Sequence, residues 1–330
     1  MKDKIIRWGI LSTAKIGRTQ VIPAIKQSKF GRVVAIASSD ETKARQTAAD
    51  LDIPKAYGNY DDLLNDADID AIYIPLPNQL HVDYALKTLA AGKHVLCEKP
   101  IGLDTADAQR LIDGAKQYPQ LKVMEAFMYR FHPQWQKAKQ LVNDGVLGEV
   151  KNVQCTFSYY NVDASNIRNK AGGGALMDIG CYCISFPRFI FNAEPKRIVG
   201  LLNIDANFGV DNLTSGLLDF GNSRQATFTC STQLEPFQRL NIFGSKGRLE
   251  VEIPVNAPND APCRLFLQRD RIVEEIIIPI TNQYTQQVDA FAQSILNNTP
   301  VPTPLSDALG NMRVIDALVE SGTKRKWVDM

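Results

Sequence analysis

Three positions in this chain carry residue types suited to moving a proton beside a charge: Lys99, Asp178 and Tyr182. Lys99 stands in Glu98-Lys99-Pro100, directly after the apolar run His94 to Cys97, which reads as a short strand. In an open parallel sheet, ligands bind just beyond the carboxyl ends of the strands, so a lysine there points its ammonium into a crevice. The plainer alternative is a strand followed by an ordinary charged turn. Asp178 and Tyr182 follow Gly172-Gly173-Gly174 and stand four residues apart. On a helix that spacing puts both on one face, and the glycines permit close backbone approach at the helix start. A glycine-rich turn, an acid favoured near a helix N-terminus and a packing tyrosine would give the same letters.

The elements needed to position such residues are legible upstream. Residues 5–12 form an apolar strand that opens into Ser12-Thr13-Ala14-Lys15-Ile16-Gly17, followed by a helix carrying Ile16, Val21, Ile22 and Ile25. Pro23 is expected to end or kink its first turns. Strand, small-residue turn and helix N-terminus together hold a dinucleotide pyrophosphate, because free N–H groups and the helix dipole both face the anion. The usual Gly-x-Gly-x-x-Gly reads here as Ser12-x-Ala14-x-x-Gly17. The second strand, Arg32 to Ser38, ends in Ser38-Ser39, with Asp40, Lys43 and Arg45 beyond. Hydroxyls with a cation suit a ribose 2′-phosphate better than a carboxylate would, which favours NADP over NAD and nominates Ser38, Ser39 and Lys43. A helix cap at Ser39 or Asp40 with solvated basic residues after it is the alternative. Pro75, Leu76, Asn78 and His81 follow the strand Asp70 to Ile74, so with Glu98 and Lys99 they are expected at the same crevice; His81 could equally cap a helix.

The strand–helix alternation continues through a strand at 122–128 and marks a doubly wound parallel sheet. After Met124 to Pro133 the pattern changes. Val153, Cys155, Phe157 and Tyr159 alternate, as do Ala226, Phe228 and Cys230, and Leu249, Val251 and Ile253. Period-2 alternation marks strands with one buried face. The expected fold is therefore α/β, with an N-terminal Rossmann domain over 1–124. An α+β domain with a largely antiparallel open sheet is expected over 125–330, its last helices free to pack back on the first domain. Arg130, His132, Tyr160 and Arg168 are the crevice residues its position suggests, each with a surface or interdomain contact as alternative.

Composition narrows the function. Two domains are expected for 330 residues. A formal net charge of +1 gives no electrostatic case for nucleic acid or an anionic membrane. No apolar run approaches the ~20 residues that span a bilayer. Met1-Lys2-Asp3-Lys4 leads into Ile5-Ile6-Arg7-Trp8-Gly9, which reads as a first strand rather than a signal peptide, so a cytoplasmic protein is expected. Six scattered cysteines and three histidines disfavour a metal site, and the cysteines are expected reduced and buried.

Glu98-Lys99-Pro100, Gly173-Gly174-x₃-Asp178-Ile179-Gly180-x-Tyr182 and the N-terminal turn together resemble the Gfo/Idh/MocA oxidoreductases. Trp8 to Gly17 and Met124 to Pro133 look like the branch containing dimeric dihydrodiol dehydrogenase and NADP-dependent xylose dehydrogenases. The resemblance covers essentially the whole chain. It implies a Rossmann domain carrying NAD(P), a second domain closing over the nicotinamide, and an open sheet that serves as the interface of a homodimer or higher homo-oligomer. It maps the family's catalytic lysine to Lys99 and its Asp-x₃-His/Tyr pair to Asp178 and Tyr182; Asn166-Ile167-Arg168 resembles the sugar-oxidising branch. The Ser/Ala turn, and Ser39 where several NADP users have arginine, depart from the pattern. The expected chemistry is hydride transfer between nicotinamide and a sugar, polyol or related small alcohol or carbonyl. A phenol with a pKa of ~10 is a poor base near neutrality, and a neighbouring ammonium favours its phenolate. Tyr182 is thus expected to act as general acid/base, Lys99 to lower its pKa, and Asp178 to orient substrate or lysine. A non-catalytic dinucleotide or sugar sensor on the same scaffold is the alternative, disfavoured by the intact Lys99/Asp178/Tyr182 set.

Overall fold

Strand β1 (Ile6–Leu11) lies at the centre of a sheet whose outer strands the chain adds on both sides. The computed structural model describes residues 5–330; Met1 to Lys4, read above as the lead into the first strand, lie outside the described residues. The chain divides into two units, residues 1–131 with 282–309, and residues 132–281 with 310–330.

In the first unit β1 is joined by β2 (Gly31–Ala37), β3 (Lys55–Tyr57), β4 (Ala71–Ile74), β5 (His94–Cys97) and β6 (Val123–Glu125). The six strands lie in the order β3-β2-β1-β4-β5-β6 and every pairing is parallel. That order reverses between β1 and β4, where the carboxyl ends leave a crevice for ligand. Val33 to Ala37 and Ala71 to Ile74 are buried without alternation, as strands covered on both faces must be. The helices are α1 (Ile22–Gln27), α2 (Glu41–Asp50), α3 (Tyr60–Leu64), α4 (His81–Ala90) and α5 (Thr105–Ala115). Asp40, Asn59 and Asp104 cap α2, α3 and α5 through their side-chain oxygens, and Gly92 closes α4 at φ +74°. Ahead of α1, Gly17–Val21 winds as a π-helical turn. Pro23 is the second residue of α1, directly after that π turn in one continuous helical segment. The kink expected at Pro23 is thus resolved as a change of helix type. One core gathers Trp8, Ile10, Ile22, Tyr73 and Leu96 around Val288 and Phe291. The last two belong to a late helix, Gln283–Leu296, and Trp8 meets Phe291 at 5.8 Å.

The second unit opens with α6 (Pro133–Asn143), then β7 (Val150–Tyr160), a π-helical turn over Leu176–Gly180, and α7 (Cys181–Phe191). Eight strands follow: β8 (Arg197–Ile204), β9 (Asp211–Gly221), β10 (Arg224–Ser231), β11 (Gln233–Gly244), β12 (Arg248–Val251), β13 (Cys263–Arg269), β14 (Ile272–Ile278) and, at the end of the chain, β15 (Val328–Asp329). The late helix named above is α8, and α9 (Leu305–Lys324) precedes β15. The nine-stranded sheet runs β14-β13-β12-β11-β7-β10-β9-β8-β15. Only β7 with β10 pairs in parallel; every other pairing is antiparallel. Alternation of buried and exposed residues along β9 and β10 marks one covered face. Of the eleven residues of α7 ten are buried, the signature of a helix enclosed on all sides. Trp135 stacks on Phe186 at 4.5 Å and donates its indole N–H to the Pro254 carbonyl at 2.7 Å. All six cysteines are free and buried. Among the described residues, no helix is long and apolar enough to cross a membrane.

Candidate functional site

The sequence places small residues where β1 must turn, and the backbone there has an uncommon conformation. Ser12 sits at φ +105°, in the region that favours glycine. Its hydroxyl donates to the Pro75 carbonyl and accepts the Ala14 N–H, both at 3.2 Å. The turn after β1 is thereby tied to the turn after β4. Ser12, Thr13, Ala14 and Ile16 are half-buried and Lys15 is exposed where the helix begins. An accessible helix start at the carboxyl end of a parallel strand fits a dinucleotide's pyrophosphate.

At the end of β2, Asp40 accepts the Lys43 N–H at 3.1 Å as the cap of α2. Ser38 is buried and its hydroxyl accepts the Asp40 N–H at 3.2 Å. Ser39 is exposed. The Lys43 ammonium is 71% exposed and lies 3.7 Å from Asp40, an ion pair of little energy in water. Arg45 pairs with Glu41. Of the two acids after this strand, Asp40 is occupied as a helix cap and Glu41 by Arg45, so hydroxyls and the exposed Lys43 are what the strand end presents.

The turns after β4 and β5 carry the rest of the first unit's residues. Pro75 and Leu76 are buried, and Asn78 opens a short 3₁₀ turn. Glu98 accepts the Tyr73 phenol, and burial together with the Glu98 charge pushes the Tyr73 and Tyr284 phenols up. Lys99 is half-buried and joined to Pro100 by a cis peptide. His81 is fully buried, with Nδ1 2.8 Å from the Pro100 carbonyl and Nε2 2.7 Å from the Leu76 carbonyl. Burial lowers its pKa, while the two carbonyls act in the opposite direction and the Lys99 charge adds to the lowering. The ring therefore cross-braces the two turns, whereas the sequence suggested a crevice contact or a helix cap. Arg130 pairs with Asp307 at 2.8 Å and meets the Tyr129 hydroxyl at 3.2 Å, its side chain 11% exposed.

In the second unit the Gly172-Gly173-Gly174 run has a steric cause. A Cβ on Gly173 would lie 2.3 Å from the Arg168 carbonyl, and one on Gly174 would lie 2.1 Å from Asp211 Oδ1. The Gly174 N–H donates to the Arg168 carbonyl at 2.8 Å. Asp211 accepts the Leu176 N–H at 2.8 Å and the Thr214 hydroxyl at 2.6 Å, and burial raises its pKa. The start of the π turn is thus capped by a buried carboxylate from β9. That turn carries Asp178, and Tyr182 follows at the start of α7, 4% exposed, its ring 6.3 Å from Phe157.

Asp178 is the focus of this arrangement. Arg168 Nε lies 2.6 Å from its Oδ1, and the Tyr159 hydroxyl donates to its Oδ2 at 2.6 Å. The Asp178 charge, foremost, holds the Arg168 guanidinium well above its usual range. Burial, then the Asp178 charge, pushes the Tyr159 phenol up. Tyr160 is 63% exposed on the opposite face of β7, because successive side chains of a strand point to opposite faces. His132 is 1% exposed and caps α6, its Nδ1 accepting the Gln134 N–H at 3.2 Å. Tyr159 and Asp211 were not singled out from the sequence. Tyr159 was within reach, since it continues the inward series Val153, Cys155, Phe157; Asp211 carries no local signal.

Residues 6–127 match a family model described as the oxidoreductase family's NAD-binding Rossmann fold, and residues 135–250 match the GFO/IDH/MocA C-terminal domain. The D-xylose 1-dehydrogenase (NADP(+)) 2 of Haloferax volcanii is 37% identical over 327 residues, 98% of this chain and 99% of that protein. The trans-1,2-dihydrobenzene-1,2-diol dehydrogenase of Xenopus tropicalis is 35% identical over 259 residues, 76% of this chain and 77% of that one. A 3-ketoreductase from Actinomadura kijaniata, solved with NADP and TDP-benzene, superposes with a TM-score of 0.91 at 29% identity, covering 96% of this chain and 98% of its own. The same enzyme has been solved with a lysine replaced by alanine and with a tyrosine replaced by phenylalanine.

Proposed function

The chain belongs to the Gfo/Idh/MocA family of NAD(P)-binding oxidoreductases, and from that premise we propose an NADP-preferring dehydrogenase acting on a sugar or small polyol. The observation that supports this most is the full-length similarity to a D-xylose 1-dehydrogenase named for NADP. The Ser12 to Ile16 turn would hold the pyrophosphate, and Ser38, Ser39 and Lys43 the 2′-phosphate. Pro75, Leu76, Asn78 and Glu98 would complete the cofactor contacts, with His81 acting only through the carbonyls it braces. A bound NADP would supply the hydride acceptor for oxidation and, reduced, the hydride donor for the reverse.

The chain's own residues handle the proton. Tyr182 removes it from the substrate hydroxyl, or returns it to the carbonyl oxygen in reduction. Lys99 supplies the positive charge that favours the phenolate and bonds the reacting oxygen. Asp178, paired with Arg168, orients the substrate. Tyr182→Phe should slow turnover by about 10²–10⁴-fold, the usual contribution of an acid–base group, with NADPH affinity unchanged. Normal turnover in that variant would remove Tyr182 from the mechanism. Titration with NADPH and NADH, followed by cofactor fluorescence, tests the NADP preference; tighter NADH binding would overturn it. Turnover of pentoses and hexoses against trans-dihydrodiols separates the two substrate classes.

Self-association belongs to the same reading. Leu201, Leu213, Tyr160 and Phe237 are exposed on one face of the second unit's sheet. Their placement follows from the register, which puts Leu201 opposite Ser215 and Phe237 opposite Ser158. The occupant proposed for that face is a second copy of this chain.

A further inference from the structure

We infer that Tyr159 is a positioning residue of this enzyme: with Arg168 it holds Asp178 as a fixed, ionised acceptor for a substrate hydroxyl, which leaves the travelling proton to Tyr182. The inference rests on the dehydrogenase reading above. Its basis is a protein donor on each carboxylate oxygen. Arg168 Nε takes Oδ1 and the Tyr159 hydroxyl takes Oδ2, each at 2.6 Å. Two donors on opposite oxygens fix the rotation of the carboxylate, and bonds to an ionised acceptor are the strong ones. A carboxylate so held keeps its charge.

The strand and the helix are matched in spacing. Phe157 and Tyr159 are two apart on β7, a rise of roughly 6.6–6.8 Å. Asp178 and Tyr182 are four apart along the helical segment, roughly 6 Å. Phe157 therefore packs near Tyr182, at 6.3 Å between rings, while Tyr159 reaches Asp178. One strand face supports both members of the functional pair. A phenylalanine at 159 would fill the same space and lose only the donor. The phenol is also unsuited to proton transfer itself, since burial and the adjacent carboxylate disfavour its phenolate.

Tyr159→Phe tests this, with NADP present. Loss of a hydrogen bond to a charged group is expected to raise the KM for the sugar about tenfold to a hundredfold, with NADPH affinity unchanged and the thermal midpoint lowered but well above the assay temperature. A ¹³C carboxyl titration of Asp178 is expected to shift to higher pH in the variant. An unchanged KM in an active enzyme would overturn the inference, as would a loss of activity that only tracks a loss of thermal stability. Should the wild-type protein turn over no sugar, polyol or dihydrodiol, the dehydrogenase reading fails by itself. The carboxyl titration then decides the role of Tyr159: a curve unmoved by the substitution overturns it.

Discussion

Ser12 shows how a serine can occupy, at the turn after β1, a conformation that favours glycine. Its φ of +105° is a conformation that costs a non-glycine residue about 1–3 kcal/mol. Hydrogen bonds to the Pro75 carbonyl and from the Ala14 N–H offset that cost, at about 0.5–1.5 kcal/mol each. Ser12→Ala keeps the strained backbone and loses both bonds, while Ser12→Gly loses the bonds and removes the strain. Thermal midpoints should therefore fall in the order wild type or Gly, then Ala; an alanine variant as stable as the glycine one would contradict this account. His81 follows a similar logic, with both ring nitrogens on carbonyls. The sequence showed that a histidine stands after a strand, but not that two turns distant in the chain converge on its ring. Tyr159 differs, because the alternation that identified β7 already set it with Val153, Cys155 and Phe157, although Tyr160 was the residue nominated for the crevice. Only a one-residue parity separates the two.

At the scale of elements, strands were legible wherever an apolar run or a period of two ended at a turn. Of the caps that open helices, Asp40 was open to reading from the sequence, while those at Asn59 and Asp104 came from the structure. The π-helical turns Gly17–Val21 and Leu176–Gly180 were not legible, since one extra residue per turn leaves no compositional mark. The glycine run before the second of these was legible as a close approach, though its partner was hidden in β9. Gly174 has φ +100°, and its Cβ position lies 2.1 Å from Asp211. Gly17, by contrast, would put a Cβ no nearer than 3.6 Å to any neighbour. Gly174→Ala should cost on the order of 3 kcal/mol or more; Gly17→Ala should be neutral or stabilising by up to about 1 kcal/mol. Parallel unfolding measurements would check the contrast, and equal effects would refute it. The cap of α6 adds a pH dependence. Burial pushes His132 down to about 4, below the ~6.5 of an unfolded histidine. The folded state then binds fewer protons, so stability is full above about pH 6.5 and lost as pH falls toward 4. His94, also near 4 by burial, contributes in the same window. His132→Asn keeps a good capping side chain and removes one of the three histidine titrations that burial lowers, those of His81, His94 and His132. Its stability should fall less steeply over that window than the wild type's, as melting at a series of pH values would show.

For the whole molecule, β–α alternation followed by period-2 strands foretold both sheets, because burial on two faces and burial on one leave different patterns in a sequence. The strand order of the second sheet was not foretold, and neither was the parallel β7–β10 pair at its middle. Which long-range edges meet depends on packing that no local period encodes. The outer face of that sheet bears most directly on assembly. Leu201 is 76% exposed and Phe237 49%, and a net charge of +1 sets up no strong repulsion between copies. Stable association needs roughly 1,200–2,000 Å² of total buried surface, which a nine-stranded sheet can supply. Leu201→Glu and Phe237→Glu place like charges on the face proposed to join two copies, where each would meet its own copy or an apolar neighbour. Sedimentation equilibrium should find the wild-type protein dimeric or larger and the double variant monomeric, with NADPH affinity retained. A monomeric wild type, or a variant whose assembly is unchanged, would show that this face does not join two copies.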